Sequence, residues 1–220
     1  LKSQDDIPEE ELWYNNSMKN LNPAITLFDL DDQILRSANR HLEIYGGGTI
    51  ADLYAEMIFQ ARPDGTPAIQ DNPKFEKAAL EWRTKYLAAK KVATFENDFK
   101  YGSVLNYTDT DYKKLSNDMF AQKVAFYKSQ NLSDGAATMA AFQELMPFLG
   151  KNKPIKAIQD LLNRPIGLTP TGIATEDSKA ALSIAVMLSQ NGMLGGYFTE
   201  NNKKNALLWS IAVRKINYSW

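Results

Sequence analysis

Apolar residues recur along this chain at steps of three and four, and a chain patterned that way folds as packed amphipathic helices. Leu27, Phe28, Leu30, Ile34, Leu35, Ala38, Leu42 and Tyr45 fall in one stripe. Phe75, Leu80, Trp82, Tyr86, Leu87 and Val92 make another, as do Tyr112, Leu115, Met119, Phe120, Val124 and Tyr127. No stretch alternates apolar and polar residues convincingly in the period of two that marks a half-buried strand. The expected fold class is all-α.

Punctuation residues divide the pattern. Asn22-Pro23 reads as an N-cap followed by the first helical residue, and Gly46-Gly47-Gly48 as the stop of the helix they open. Thr49 with Asp52 reads as a short-armed capping box opening a helix through about Gln60. Arg62 to Pro67 is loop chemistry, Asn72-Pro73 opens a long helix, and Tyr101 to Asp111 is a polar link. A helix carrying Tyr112 follows, then one from Ser133 to Leu149 that stops at Gly150. Gly150-Lys151-Asn152-Lys153-Pro154 combines a stop, two cations and a proline start, and places a boundary there. Residues 1–150 are expected to form a multi-helix domain. Residues 151–220 are expected to form a three-helix unit, with helices near 154–163, 175–190 and 200–216.

Several function classes are excluded by what the chain contains. Apolar residues make up 44% and charged residues 23%, close to globular averages of about 45–50% and about 25%, so long disordered segments are not expected. With no Cys there is neither disulfide nor thiolate chemistry. His41 is the one histidine, which excludes a multi-histidine zinc site, and it reads as a helix-surface residue. No Gly-x-Ser-x-Gly elbow accompanies it, and no metal or cofactor is expected. No apolar run approaches the roughly 20 residues of a membrane span, and Leu1 to Asp6 is not a signal peptide. Lacking an initiator Met, the chain reads as processed or as a fragment.

Net charge is −1, yet residues 1–75 carry six Lys/Arg against thirteen Asp/Glu and residues 76–220 nineteen against thirteen. The pairs Lys90-Lys91, Lys113-Lys114 and Lys203-Lys204 read as solvated helix faces. A nucleic-acid partner is not expected at a pI near 6.0, because binders concentrate far more positive charge.

A short repeat stands out in the last third. Gly172-Ile173-Ala174-Thr175-Glu176-Asp177-Ser178-Lys179 is echoed by Gly196-Tyr197-Phe198-Thr199-Glu200-Asn201-Asn202-Lys203, with Gly, Thr, Glu and Lys in register 24 residues apart. Each copy reads as a Gly turn, two apolar residues, and a Thr N-cap with a carboxylate in the first turn, where the helix dipole favours it. Ahead of the repeat stands Ile155-Lys156-Ala157-Ile158-Gln159-Asp160-Leu161-Leu162-Asn163; within it come Thr171-Gly172-Ile173 and Ser178-Lys179-Ala180-Ala181-Leu182. Over residues 154–208 this resembles the small helical peptidoglycan-binding domain found beside many cell-wall hydrolases. That family pairs a Leu-Gln helix with an Asp-Gly turn and a Thr helix start, then a second Gly turn, as Asn191-Gly192-Met193-Leu194 and Gly195-Gly196-Tyr197 provide here. The chain departs from it at Thr171, where Asp is usual, at Thr175, where a second Gly is common, and at Ala185-Val186, where Phe-Gln is frequent. The resemblance implies that wall peptide lies in a shallow cleft around the turns, near Gln159, Thr171, Gly172, Thr175, Tyr197 and Thr199. Read without it, the same residues are turn and cap structure.

Catalytic motifs are incomplete. Ile25 to Asp32 resembles the opening of haloacid-dehalogenase-type phosphatases but has Gln33 in place of their Thr, and its helical spacing puts Asp29, Asp31 and Asp32 on a wet helix face. Gly46 to Thr49 lacks the Lys and the spacing of a P-loop. Glu43 closes a helix before the Gly turn, where helical lysozyme-like folds place a catalytic Glu, and is the candidate acid should the first 150 residues be a peptidoglycan glycosidase. Three functions therefore stand open. The leading one is non-catalytic binding to bacterial peptidoglycan, inside a wall-degrading or phage-virion assembly and so extracellular, periplasmic or virion-associated. The next is a helical scaffold assembling with itself or other subunits through Trp13, Trp209 and Trp220. The third is a wall hydrolase using Glu43.

Overall fold

The computed structural model describes residues 27–59, 73–150, 153–164, 168–169, 172–173 and 176–218. Among them the chain is all-α. The eight α-helices among the described residues are α1 (Leu27–Tyr45), α2 (Thr49–Phe59), α3 (Pro73–Lys100), α4 (Asp109–Ser129), α5 (Asp134–Leu145), α6 (Lys156–Leu162), α7 (Glu176–Gln190) and α8 (Lys203–Tyr218). One antiparallel hairpin, β1 (Leu168–Thr169) with β2 (Gly172–Ile173), pairs Leu168 with Ile173 and Thr169 with Gly172. Two residues per strand are too few to leave an alternating pattern, so no sequence signal marks it.

The helix ends follow their punctuation with two exceptions. Gly46 takes φ 73° and its N–H reaches the Leu42 carbonyl at 3.2 Å, the left-handed stop expected of it. Thr49, however, is the first residue of α2 rather than its cap, since the Asp52 N–H bonds the Gly48 carbonyl at 3.0 Å. The Asp52 carboxylate accepts instead from Tyr86 on α3. Pro73 opens α3, where its missing N–H has no helical partner to lose. Ser133 caps α5, accepting from the Ala136 N–H at 3.3 Å, but the α-helix ends at Leu145 and not at Leu149. Pro147 cannot donate an N–H there, and Met146–Phe148 tightens into a 3₁₀ turn. The expected elements at Asn22-Pro23, Arg62 to Pro67 and Asn72 lie outside the described residues, as do Trp13 and Trp220.

The chain forms two compact units that divide between Ala93 and Thr94, inside α3, and not at Gly150. Helices beyond Gly150 share their core with those before it: α6 packs on α4, and α7 packs on α5 as well as on α8. The first unit is built around Ile34, Leu35, Ala38 and Leu42 of α1, Ala51, Tyr54 and Ile58 of α2, and Phe75, Ala79 and Trp82 of α3. His41 and Asp31 belong to this interior, at 8% and 7% exposure, and not to the surface assigned to them from the sequence. Both sit three residues from members of the α1 stripe, His41 after Ala38 and Asp31 before Ile34, so the helix turns them inward. His41 lies 5.1 Å from the Tyr45 ring and 5.8 Å from that of Tyr54.

In the second unit Phe95, Phe99, Tyr112, Met119, Phe120, Phe142, Leu145, Ile158, Leu162, Ile184, Leu188 and Trp209 are buried. Small buried residues on α5, namely Gly135, Ala137 and Ala141, allow neighbouring helices to approach closely. No helix among the described residues is long and apolar enough to cross a membrane.

Candidate functional site

The second Gly turn links α7 to α8 and forms the site. Gly192 closes α7 with φ 66°, and the Met193 N–H returns to the Leu188 carbonyl at 2.9 Å. Leu194–Tyr197 then winds as a 3₁₀ turn, and Glu200–Asn202 as another, before α8 begins. An open cleft of about 320 Å³ lies here. Its walls are Ser189 and Gly192 at the end of α7, Leu194, Gly195 and Phe198 of the turn, and Ala206 and Ser210 of α8.

A knot of amide side chains holds this turn against α6. Asn163, the residue that ends α6, donates its side-chain N–H₂ to the Gln159 carbonyl at 2.6 Å and to the Tyr197 carbonyl at 2.9 Å. Asn202 donates to the Asn163 carbonyl at 3.2 Å and to its amide oxygen at 2.8 Å. Asn205 reaches the carbonyls of Leu162 and of Arg164, the latter at 3.1 Å. Trp209 donates its indole N–H to Leu162 at 2.8 Å. A helix C-terminus leaves carbonyls without intrahelical partners, and α8 satisfies those of α6 from the side.

Tyr197 is buried at 2% exposure, and burial pushes its phenol up to about 12. Tyr112, on α4, is raised still further, first by burial and then by the neighbouring Tyr197; its hydroxyl donates to the Lys153 carbonyl at 2.9 Å. These phenols stay protonated at neutral pH and serve as packing groups, Tyr112 also as a hydrogen-bond donor, and not as bases. The seven residues lining the cleft carry no ionisable side chain, so it suits a neutral ligand surface with small apolar groups and amides. The Ser210 hydroxyl already donates to the Ala206 carbonyl at 2.9 Å and offers its lone pairs to a ligand.

Of the six residues expected near a wall ligand, Gln159 and Tyr197 are brought together, through their carbonyls on the Asn163 amide. Neither lines the cleft. Gly172 lies in the hairpin strand opposite Thr169, and Thr171 and Thr175 fall outside the described residues. Thr199 is exposed, one residue past the cleft-lining Phe198. It stands at the cap position of the Glu200–Asn202 turn, yet its side chain makes no cap hydrogen bond, so the N-cap expected of it is not formed. Glu43, the candidate acid, is exposed on α1 in the other unit. The segment from Leu27 to Asp32 is helical, which removes the strand that a phosphatase nucleophile would require.

The sequence reading passes over Ser189 and Ser210 and names Leu194 and Phe198 only as parts of the Gly turn and of the repeat. Only the shared Gly turn pointed to their neighbourhood. Trp209, expected as an exposed interface anchor, is a core residue at 1% exposure. Comparison with protein-family models, with curated proteins and with solved structures yields no match.

Proposed function

We propose that this chain attaches non-catalytically to bacterial cell-wall peptidoglycan, through the three-helix segment at residues 154–208. What supports the reading most is the cleft of about 320 Å³ at the second Gly turn. It lies beside the second of the two Gly turns around which the resemblance implies a shallow cleft, although its walls are Ser189, Ala206, Ser210 and the turn itself and not the six residues expected near the ligand. Its volume is at the lower end of small-ligand sites, roughly 300–1,000 Å³. Glycines and serines leave backbone amides and hydroxyls accessible, while Leu194, Phe198 and Ala206 offer apolar contact for methyl groups such as those of alanine-rich peptides. The order helix, Gly-containing hairpin, helix, Gly turn, helix follows the family's pattern along this segment.

The test is sedimentation of the full chain with insoluble purified peptidoglycan. Saturable depletion from the supernatant is expected, with unchanged wall turbidity over the same period. Absence of depletion would leave only a shared arrangement of helices.

A second reading, a scaffold that assembles with itself or other subunits, draws on the turn between α3 and α4. Tyr101 and Leu105 stand there at 79% and 83% exposure. The turn that carries them is tied down by the Ser103 N–H on the Asp98 carbonyl at 2.8 Å and by the Tyr107 hydroxyl on the Asp98 carboxylate. Mass measurement by sedimentation velocity separates the readings: a scaffold gives assemblies that Tyr101→Ser with Leu105→Ser disperses.

A further inference from the structure

The outward face of α8 sets exposed apolar residues between exposed cations. Asn205, Trp209 and Val213 form its buried line. At about 100° per residue, Leu207 and Ile211 fall on the opposite side, and they are 62% and 43% exposed. Lys203 and Arg214 flank this apolar ridge on one side and Lys204 and Lys215 on the other, all four exposed. Lys203 to Lys215 includes no Asp or Glu. Just ahead of the helix, Glu200 is 94% exposed and stands 3.8 Å from Lys203, a contact too solvated to neutralise the Lys203 charge.

We propose that this face of α8 docks on an anionic lipid surface, with Leu207 and Ile211 dipping below the headgroups and the flanking cations reaching their phosphates. The charge pattern selects this occupant. A second copy docking through the same face would set four cations against four. A soluble polyanion would satisfy the cations and leave the leucine and isoleucine in water. An anionic bilayer interface meets both needs at once: long Lys and Arg side chains spread sideways to phosphates while a central apolar ridge is buried. Each cation near such a surface adds about 1 kcal/mol of attraction, so the association is weak, reversible and sensitive to salt. It is independent of the wall-binding reading.

The experiment is co-sedimentation of the full chain with phosphatidylglycerol vesicles and with phosphatidylcholine vesicles at low ionic strength. Binding is expected to the first and not to the second, and it should fall steeply at about 0.5 M salt as charges are screened. Leu207→Asn with Ile211→Asn keeps every charge and touches no buried residue; it should lower partitioning about tenfold or more, with an unchanged melting midpoint. Lys204→Gln with Arg214→Gln should weaken binding while leaving the ridge intact. The proposal is overturned by absence of binding to phosphatidylglycerol, or by equal binding to phosphatidylcholine. It is equally overturned if the Asn double variant binds as well as the parent, which would mark the face as a general polyanion site.

Discussion

The indole N–H of Trp209 donates to the Leu162 carbonyl at 2.8 Å, and Asn205, one helical turn earlier, donates to the same oxygen. One helix end is thus closed by two side chains of a helix more than 40 residues later. This contact ties α8, and with it one wall of the cleft, to α6.

Loss of the clamp should be costly in proportion to what it leaves unpaired. Asn205→Ala removes the donor to the Arg164 carbonyl and one of two donors to Leu162, and is expected to destabilise by about 1–3 kcal/mol. Trp209→Phe keeps most of the buried volume, deletes one donor, and should cost a similar or smaller amount. Urea unfolding of the full chain followed by far-ultraviolet circular dichroism measures both, with the shift in midpoint as the readout.

Acid should weaken the second unit through Glu96. Burial alone would raise this carboxyl, but hydrogen bonds from Lys123 at 2.6 Å and Lys100 at 3.0 Å outweigh it and hold the group below its ordinary value. A carboxyl depressed in the folded state contributes stability that is complete above its unfolded value, near 4.5, and is lost as pH falls through the lower folded value. Lys123 works in the opposite sense. Burial would lower it, yet Glu96 and Glu144 raise it, so its contribution is complete below about 10.5 and fades as pH climbs through the raised value. Lys123→Met should cost about 1–3 kcal/mol at neutral pH, because Glu96 stays half-buried with a weaker partner. Glu96→Gln should flatten the acid limb of a stability-against-pH curve.

Gly47 has no room for a side chain. A Cβ placed on it would lie 2.5 Å from the Ala89 carbonyl oxygen and 2.7 Å from the Lys90 nitrogen, both backbone atoms of α3. Gly47→Ala must therefore push the turn between α1 and α2 away from α3, and a loss of about 2 kcal/mol or more is expected. Differential scanning calorimetry of the variant provides the check. Gly150→Ala, where nothing lies within 4 Å, is the matched control and should leave the transition nearly in place.

Much of the helical frame is legible from local chemistry. The stops at Gly46 and Gly192, the start at Pro73 and the cap at Ser133 follow from what single residues allow, and α6, α7 and α8 begin and end within a few residues of their expected places. What escapes is whatever depends on partners distant in the chain. His41 and Asp31 read as surface residues because both are polar, yet their place beside the α1 stripe turns them inward. Gly150 reads as a domain boundary because a glycine there reads as a helix stop, although the burial of Ile155 and Ile158 depends on packing that the sequence does not encode locally. The cleft is the extreme case. Its serines, glycines and alanine are unremarkable in sequence and become a site only when α8 folds back along α7.

The unit boundary yields a prediction of its own. A piece starting at residue 151 loses the α4 and α5 surfaces on which α6 and α7 pack, and should melt without a cooperative transition. A piece starting at Thr94 retains them and should unfold cooperatively. Thermal melts of both pieces, monitored by near-ultraviolet circular dichroism, distinguish this division from one at Gly150.

The central claim, that the cleft at the second Gly turn holds cell-wall peptide, is tested most directly at Gly195. This residue lines the cleft, and a Cβ built on it meets nothing within 4 Å. Gly195→Leu should fill the cleft without disturbing the fold. A peptidoglycan sedimentation isotherm of the full chain is expected to saturate for the parent and to weaken about tenfold or more in the variant, with the same melting midpoint. Identical isotherms for parent and variant, or no depletion by either, would contradict the account.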